Sequence, residues 1–146
     1  MEFEGKVALV TGGTRGIGAA IVRRLALQGA DVAFTYAKSE QAAKEFVHEL
    51  GIAGARVLAI KADSRDPAAV RAAVKQVARE LGRLEILVNS AGVFPSGPVE
   101  NVTFEEINET LAIHAAAVFV ASQAALDFMG PGGRIISIGS CFAQRV

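Results

Sequence analysis

The sequence predicts an α/β fold, a doubly wound parallel sheet with helices on both faces. Short apolar runs alternate with amphipathic helical segments along the whole chain. A glycine-rich turn joins the first such pair, and the first run, residues 6–10, is apolar enough for a strand buried on both sides.

The elements follow in order. After the strand at 6–10, Thr11-Gly12-Gly13-Thr14-Arg15-Gly16-Ile17-Gly18 turns the chain into a helix over 19–29. Ile17, Ile21, Leu25 and Ala26 recur at helical spacing as its expected inner face. Residues 31–35 form a second strand, and 40–50 a helix with Phe46, Val47 and Leu50 inward. A third strand covers 56–60. Asp66 caps the next helix with Pro67 at its first position, where a missing N–H does no harm. Val70, Ala73, Val74, Val77 and Leu81 give that helix its apolar stripe. The fourth strand, 84–88, runs into Asn89-Ser90-Ala91-Gly92, and a loop with Pro95 and Pro98 follows. Thr103 and Glu106 have capping-box spacing and open a long helix ending near Met129. Gly130-Pro131-Gly132-Gly133 breaks it before a fifth strand at 134–138. Right-handed crossovers restrict the expected strand order to 3-2-1-4-5.

Bulk properties narrow the function classes. The chain has 146 residues, 51% of them hydrophobic, enough for one domain with its own core. Fifteen basic residues balance fifteen acidic ones, which gives no reason to expect nucleic acid or an anionic membrane as partner. No basic run, membrane-length apolar stretch or signal-peptide pattern stands out. Cys141 is the only cysteine and is expected to be a small packed thiol in a reducing cytoplasm. With His48 and His114 as the only histidines, no metal set is expected.

The chemistry starts at the glycine turn. Strand, glycine turn and helix together form a phosphate-binding device. Glycines let backbone approach the anion, and the helix N-terminus presents N–H groups and a favourable dipole. No Lys-Ser or Lys-Thr closes the turn, which excludes a Walker loop. A dinucleotide is therefore the expected ligand, bound at the carboxyl ends of the strands across the switch point between the first and fourth. An acid bonding the ribose of NAD is expected about 20 residues past the glycines. That position falls near Tyr36, in Thr35-Tyr36-Ala37-Lys38-Ser39, where no carboxylate stands. Lys38, Ser39 and Arg15 are instead suited to a 2′-phosphate, so NADP(H) is favoured and NAD(H) stays possible. Lys38 as a solvated surface lysine is the competing reading, and Glu40 either faces the site or serves its own helix dipole.

With Asn89-Ser-Ala-Gly92 added to the glycine turn, the sequence resembles the short-chain dehydrogenase/reductase family, and among its members 3-oxoacyl-acyl-carrier-protein reductases. Thr11 to Gly18 is similar to the family's cofactor loop, and Asn89-Ser-Ala-Gly92 to its Asn-Asn-Ala-Gly, with Ser90 replacing the second Asn. Gly133-Arg-Ile-Ile-Ser-Ile-Gly-Ser140 resembles the strand that ends at its catalytic serine. The resemblance implies a Rossmann-like domain over 1–146, with Gly12, Thr14, Arg15, Gly16, Ile17 and Gly18 at the pyrophosphate. It also implies Asp63 and Ser64 at adenine, Asn89, Ala91 and Gly92 beside the cofactor, and Ser140 holding the substrate oxygen. Each position has a plainer reading: Asp63 as a turn residue, Asn89 as a bridge between strands, Ser140 as a strand end.

Two departures qualify the resemblance. The family's tyrosine and the lysine four residues after it follow the serine, whereas Tyr36 is the only tyrosine here and precedes it. The expectation is an N-terminal portion of a longer reductase, lacking the C-terminal strands, with the fifth strand's open edge making residues 1–146 alone poorly soluble. His114 occupies the place of an asparagine that bends the family's helix and holds a relay water. It either replaces the relay or packs as a polar residue. Ala112, Ala115, Ala116 and Ala117 fit close helix packing, in the core or between subunits.

The expected function is carbonyl reduction or alcohol oxidation by hydride transfer with NADPH, in a cytoplasmic homo-oligomer, dimer or tetramer. The substrate is a small or acyl-linked ketone or alcohol. The alternative is a nucleotide-binding module without catalysis. Extended reductases and nucleotide-sugar epimerases fit less well, since their glycine loop is spaced differently.

Overall fold

The computed structural model describes residues 1–140, so Cys141 lies outside the described residues. β1 (Val7–Val10) is buried along its whole length, as a strand covered by helices on both sides must be. The chain continues through α1 (Gly16–Leu27), β2 (Asp31–Tyr36), α2 (Glu40–Ile52), β3 (Val57–Lys61), α3 (Pro67–Leu81) and β4 (Ile86–Asn89). After a 3-10 turn at Val99–Asn101 come α4 (Phe104–Leu111), a π-helical turn (Ala112–Ala116), α5 (Ala117–Leu126) and β5 (Arg134–Ser137). The sheet is parallel throughout, in the expected order β3-β2-β1-β4-β5.

Alternate residues of each strand point to opposite faces, and two cores result. Leu9, Ala33 and Leu87 face α3 and α5, where Val70, Val74, Val77, Ala121 and Ala124 pack. Val10, Val32, Phe34 and Val88 face α1 and α2, against Val22, Leu25, Phe46 and Leu50. The rings of Phe34 and Phe46 tilt together with centroids 5.6 Å apart.

Four details differ from the sequence reading. α1 begins at Gly16, three residues earlier than expected, so Ile17 sits in the first turn and is 63% exposed, while Val22 is fully buried in its stead. The long helix ends at Leu126 and is interrupted by the π turn. Of the alanines at 112 and 115–117, only Ala117 is buried; Ala115 and Ala116 are exposed. The helical run Phe104–Leu126 is also long and apolar enough to cross a membrane, against the expectation that no such stretch exists. Its α5 portion nonetheless buries Ala117, Val120, Ala121, Ala124 and Ala125 in the core, as a helix covering a sheet does.

β5 pairs only with β4 among the described residues, and all four of its residues are exposed. Helix starts are capped where the sequence indicates. The Asp66 carboxylate accepts from Ala68 N at 2.8 Å with Pro67 in the first turn, and Thr103 and Glu106 complete a reciprocal capping box. Asp66→Ala should lower the unfolding free energy by about 1 kcal/mol, the usual worth of such a cap, as read from urea denaturation.

Candidate functional site

The site grows from the point where β1 and β4 part. α1 leaves β1 toward one face of the sheet and α5 covers the other, which opens a crevice at the strands' carboxyl ends. Thr11 N donates to Val88 O at 2.9 Å and extends the β1–β4 ladder by one step. Its buried hydroxyl then accepts from Ser90 N at 3.0 Å and Ala91 N at 3.1 Å. On the other flank Gly12 N donates to Thr35 Oγ1 at 3.0 Å and Gly13 N to Thr35 O at 3.0 Å. The turn is thus tied to both neighbouring strands. Gly12 has φ +68°, and a Cβ there would lie 2.8 Å from Ala91 Cα; a Cβ on Gly18 would lie 2.2 Å from Gly12 O. Side chains at either position would force the turn apart.

Around this turn lies a cleft of about 550 Å³. Gly12, Thr14, Arg15, Gly16, Ile17 and Gly18 line it from the turn, and Tyr36, Lys38 and Ser39 from the end of β2. Asp63, Ser64 and Arg65 follow β3, Ala91, Gly92 and Val93 follow β4, and Glu109 and Ile113 come from the helix beyond. Arg15 is the N-cap of α1, yet no side chain caps this helix and its first turn holds no acid. Its N-terminal N–H groups are therefore available to an anion in the cleft.

The cleft's charges sort clearly. Glu40 pairs with Lys44 at 2.8 Å, and that hydrogen bond holds its carboxyl below the ordinary range. Glu40 serves its own helix and does not line the cleft. Arg15 and Lys38 form no ion pair among the described residues, and Ser39, the N-cap of α2, makes no capping bond. Asp63 acts as a turn residue, accepting from Arg65 N at 2.9 Å, and it also lines the cleft. Hydrogen bonds from the Arg65 side chain hold the Asp63 carboxyl below its usual range, against a smaller opposing effect of burial.

Asn89 and Ser140 are not among the cleft-lining residues. Asn89 is buried beneath the cleft, with Nδ2 3.4 Å from Ser137 Oγ across the β4–β5 pair and its carbonyl accepting from Ile138 N at 2.9 Å. The bridging role of Asn89 is therefore observed. Ser140 is exposed and stands three residues past the end of β5. Tyr36 ends β2, which β1 and β4 separate from β5. Three inter-strand spacings put the two strands about 14 Å apart, so Tyr36 is no proton-transfer partner for Ser140.

His114 stands in the π turn with Nε2 3.1 Å from Val93 N and 2.9 Å from Val93 O. A neutral ring accepts from the N–H or donates to the carbonyl according to its tautomer. A Cβ on Gly92 would lie 2.8 Å from His114 Cε1, so this glycine makes room for the ring. Sequence reasoning missed Thr11, Thr35, Arg65 and Glu109. Threonines closing buried strands, and an arginine two residues after a turn aspartate, were the available signals.

The donor set fits a dinucleotide: backbone N–H groups at a glycine turn for a pyrophosphate, two cations for a further phosphate and a carboxylate for a base. A Cβ on Gly16 would meet nothing within 4 Å, so the turn stays open on that side. Gly18→Ala is expected to displace the Gly12 carbonyl, to lower stability by about 1–3 kcal/mol as overpacking does, and to abolish dinucleotide binding in a fluorescence titration.

Comparison with known proteins agrees with this geometry. The family model described as short chain dehydrogenase matches residues 6–145. A hydroxynaphthalene reductase of Aspergillus fumigatus is 38% identical over 143 residues, covering 98% of this chain and 52% of that protein. A short chain dehydrogenase from Burkholderia cenocepacia, solved with NADP, superposes with TM-score 0.97 at 54% identity, over 100% of this chain and 60% of its own. A blue fluorescent protein from a metagenomic library, solved with NADPH, gives TM-score 0.96 at 54% identity, over 99% and 60%. The chain spans about half the length of the curated relatives it matches. A parallel sheet in this order, a glycine turn pressed against the end of β4 and a match along nearly all its residues place the chain in the short-chain dehydrogenase family.

Proposed function

We propose that the chain is the cofactor-binding portion of an NADPH-dependent oxidoreductase that reduces a carbonyl or oxidises an alcohol. One observation carries the reading. The cleft joins an uncapped helix N-terminus to two cations, Arg15 and Lys38, with no carboxylate at the end of β2 where an NAD-type acid would stand. The two similar structures solved with NADP and NADPH support the same cofactor.

In this proposal the turn at Gly12, Gly16 and Gly18 holds the pyrophosphate, with backbone N–H groups of Ile17 and its neighbours as donors. Thr14 and Arg15 flank it, and Arg15, Lys38 and Ser39 take the 2′-phosphate. Asp63 and Ser64 meet the adenine, while Ala91 and Gly92 leave space where Asn89 braces the floor. When bound, the nicotinamide supplies or accepts the hydride. Ser140 is the catalytic residue assigned to the substrate oxygen, a small or acyl-linked ketone or alcohol being the substrate class. The proton donor, a tyrosine whose ordinary pKa of about 10 is drawn down by a nearby cation, is assigned to the remainder of the full-length enzyme.

We further propose a cytoplasmic homo-oligomer, dimer or tetramer. Exposed Phe104, Leu111, Phe119 and Leu126 on α4 and α5 support association through these helices.

Lys38→Ala in the full-length protein should weaken NADPH about tenfold, as loss of one near-surface cation facing a phosphate does, and leave NADH unchanged. Equal weakening of both, or of neither, in fluorescence titrations would refute the 2′-phosphate assignment. For His114, a relay role predicts that His114→Asn shifts the pH–rate profile of the full-length enzyme. An unchanged profile would leave the ring as a brace for Val93 alone.

A further inference from the structure

Arg65 ties the turn after β3 to α4 in the wall of the cleft. Its Nε lies 3.0 Å from both Asp63 oxygens, its Nη2 also bonds Oδ2, and its Nη1 reaches Glu109 Oε1 at 3.2 Å. Arg65 N completes the set on Asp63 Oδ1 at 2.9 Å, and Asp66 N closes the turn on Asp63 O at 3.0 Å. All three charged residues line the cleft, yet Asp63 and Arg65 follow β3 while Glu109 belongs to α4. The guanidinium is therefore anchored at two ends.

We propose that Arg65 is a positioning residue that sets which purine the cleft accepts, fixing the Asp63 carboxylate for a base bearing an exocyclic amino group. The inference rests on the dinucleotide reading above, with the base at Asp63.

The argument is one of hydrogen-bond satisfaction. An ionised carboxylate only accepts, at about four lone-pair sites. Three N–H groups, the Arg65 backbone N, Nε and Nη2, already converge on it. Nε is shared between the two oxygens, and a single amino N–H of the base can take over the Oδ2 half of that shared bond while Nε stays on Oδ1. A base presenting an oxo group there would bring lone pair against lone pair. Without Arg65 the half-exposed carboxylate would turn freely about its side-chain torsions and take up a proton more readily. Either change lets it tolerate an acceptor. Glu109 holds the guanidinium from the far side, so the plane of the fork, and with it that of the carboxylate, is set by α4 as well as by the turn.

The test compares full-length wild type, Arg65→Met and Glu109→Gln for binding of NADPH and of its deamino analogue, which carries hypoxanthine in place of adenine. Wild type should prefer NADPH about tenfold, the usual worth of one hydrogen bond to a charged group. Arg65→Met should cut that ratio to below about threefold while keeping its preference for NADPH over NADH. Glu109→Gln should give an intermediate ratio, and it carries the test if Arg65→Met does not fold. A base ratio equal to wild type in the folded variants overturns the proposal, as does a wild type without base preference. A wild type that binds neither dinucleotide overturns the function reading, and this proposal with it.

Discussion

Everything in the cleft depends on how closely the first turn approaches the end of β4. Gly12 rests against Ala91 with no room for a Cβ, and the Thr11 hydroxyl accepts from the two N–H groups that follow β4. These N–H groups lie past the last residue of β4, where the ladder gives them no partner. One buried side-chain oxygen takes that part, and so fixes the relative height of two loops from opposite halves of the sheet. Ser90 to Gly92 on one side and the start of α1 on the other then face a common space. Loosening the approach would displace both walls at once, since Thr35 ties the same turn to β2.

Burial follows from this arrangement in an orderly way. β1 is the central strand of the order found, and its four residues supply both cores. Toward β5 the covering thins, and Ile135, Ile136 and Ile138 are exposed.

The fold was legible in the sequence because its signals were local and mutually consistent. Period-3.6 stripes, Asp66 before Pro67, and Thr103 with Glu106 each name an element and its boundary without tertiary knowledge. Ile17 was misread for a physical reason: it has the helical spacing of a core residue, but it stands in the first turn of α1, where it is exposed and lines the cleft. The site was legible in part. Glycines, Lys38 and Asp63 announce themselves by type and position, whereas Glu109 is recruited from 44 positions beyond Arg65 by an ion pair. No local pattern encodes that meeting. Asn89 shows the intermediate case, a position readable as important whose observed contact is to a neighbouring strand and not to the cleft.

The π turn at Ala112–Ala116 has a consequence for the helix that contains it. Widening one turn inserts about one extra residue, and at 3.6 residues per turn each residue rotates the following segment by about 100°. α4 and α5 are therefore out of phase along one nearly continuous rod. The first segment buries none of its residues and gives Glu109 to the cleft, while the second buries Ala117, Val120, Ala121, Ala124 and Ala125 against α3 and the sheet. A regular helix of this sequence would hold a single face throughout. The phase slip lets one element serve as wall of the cleft at its start and as floor of the core at its end, with His114 at the changeover.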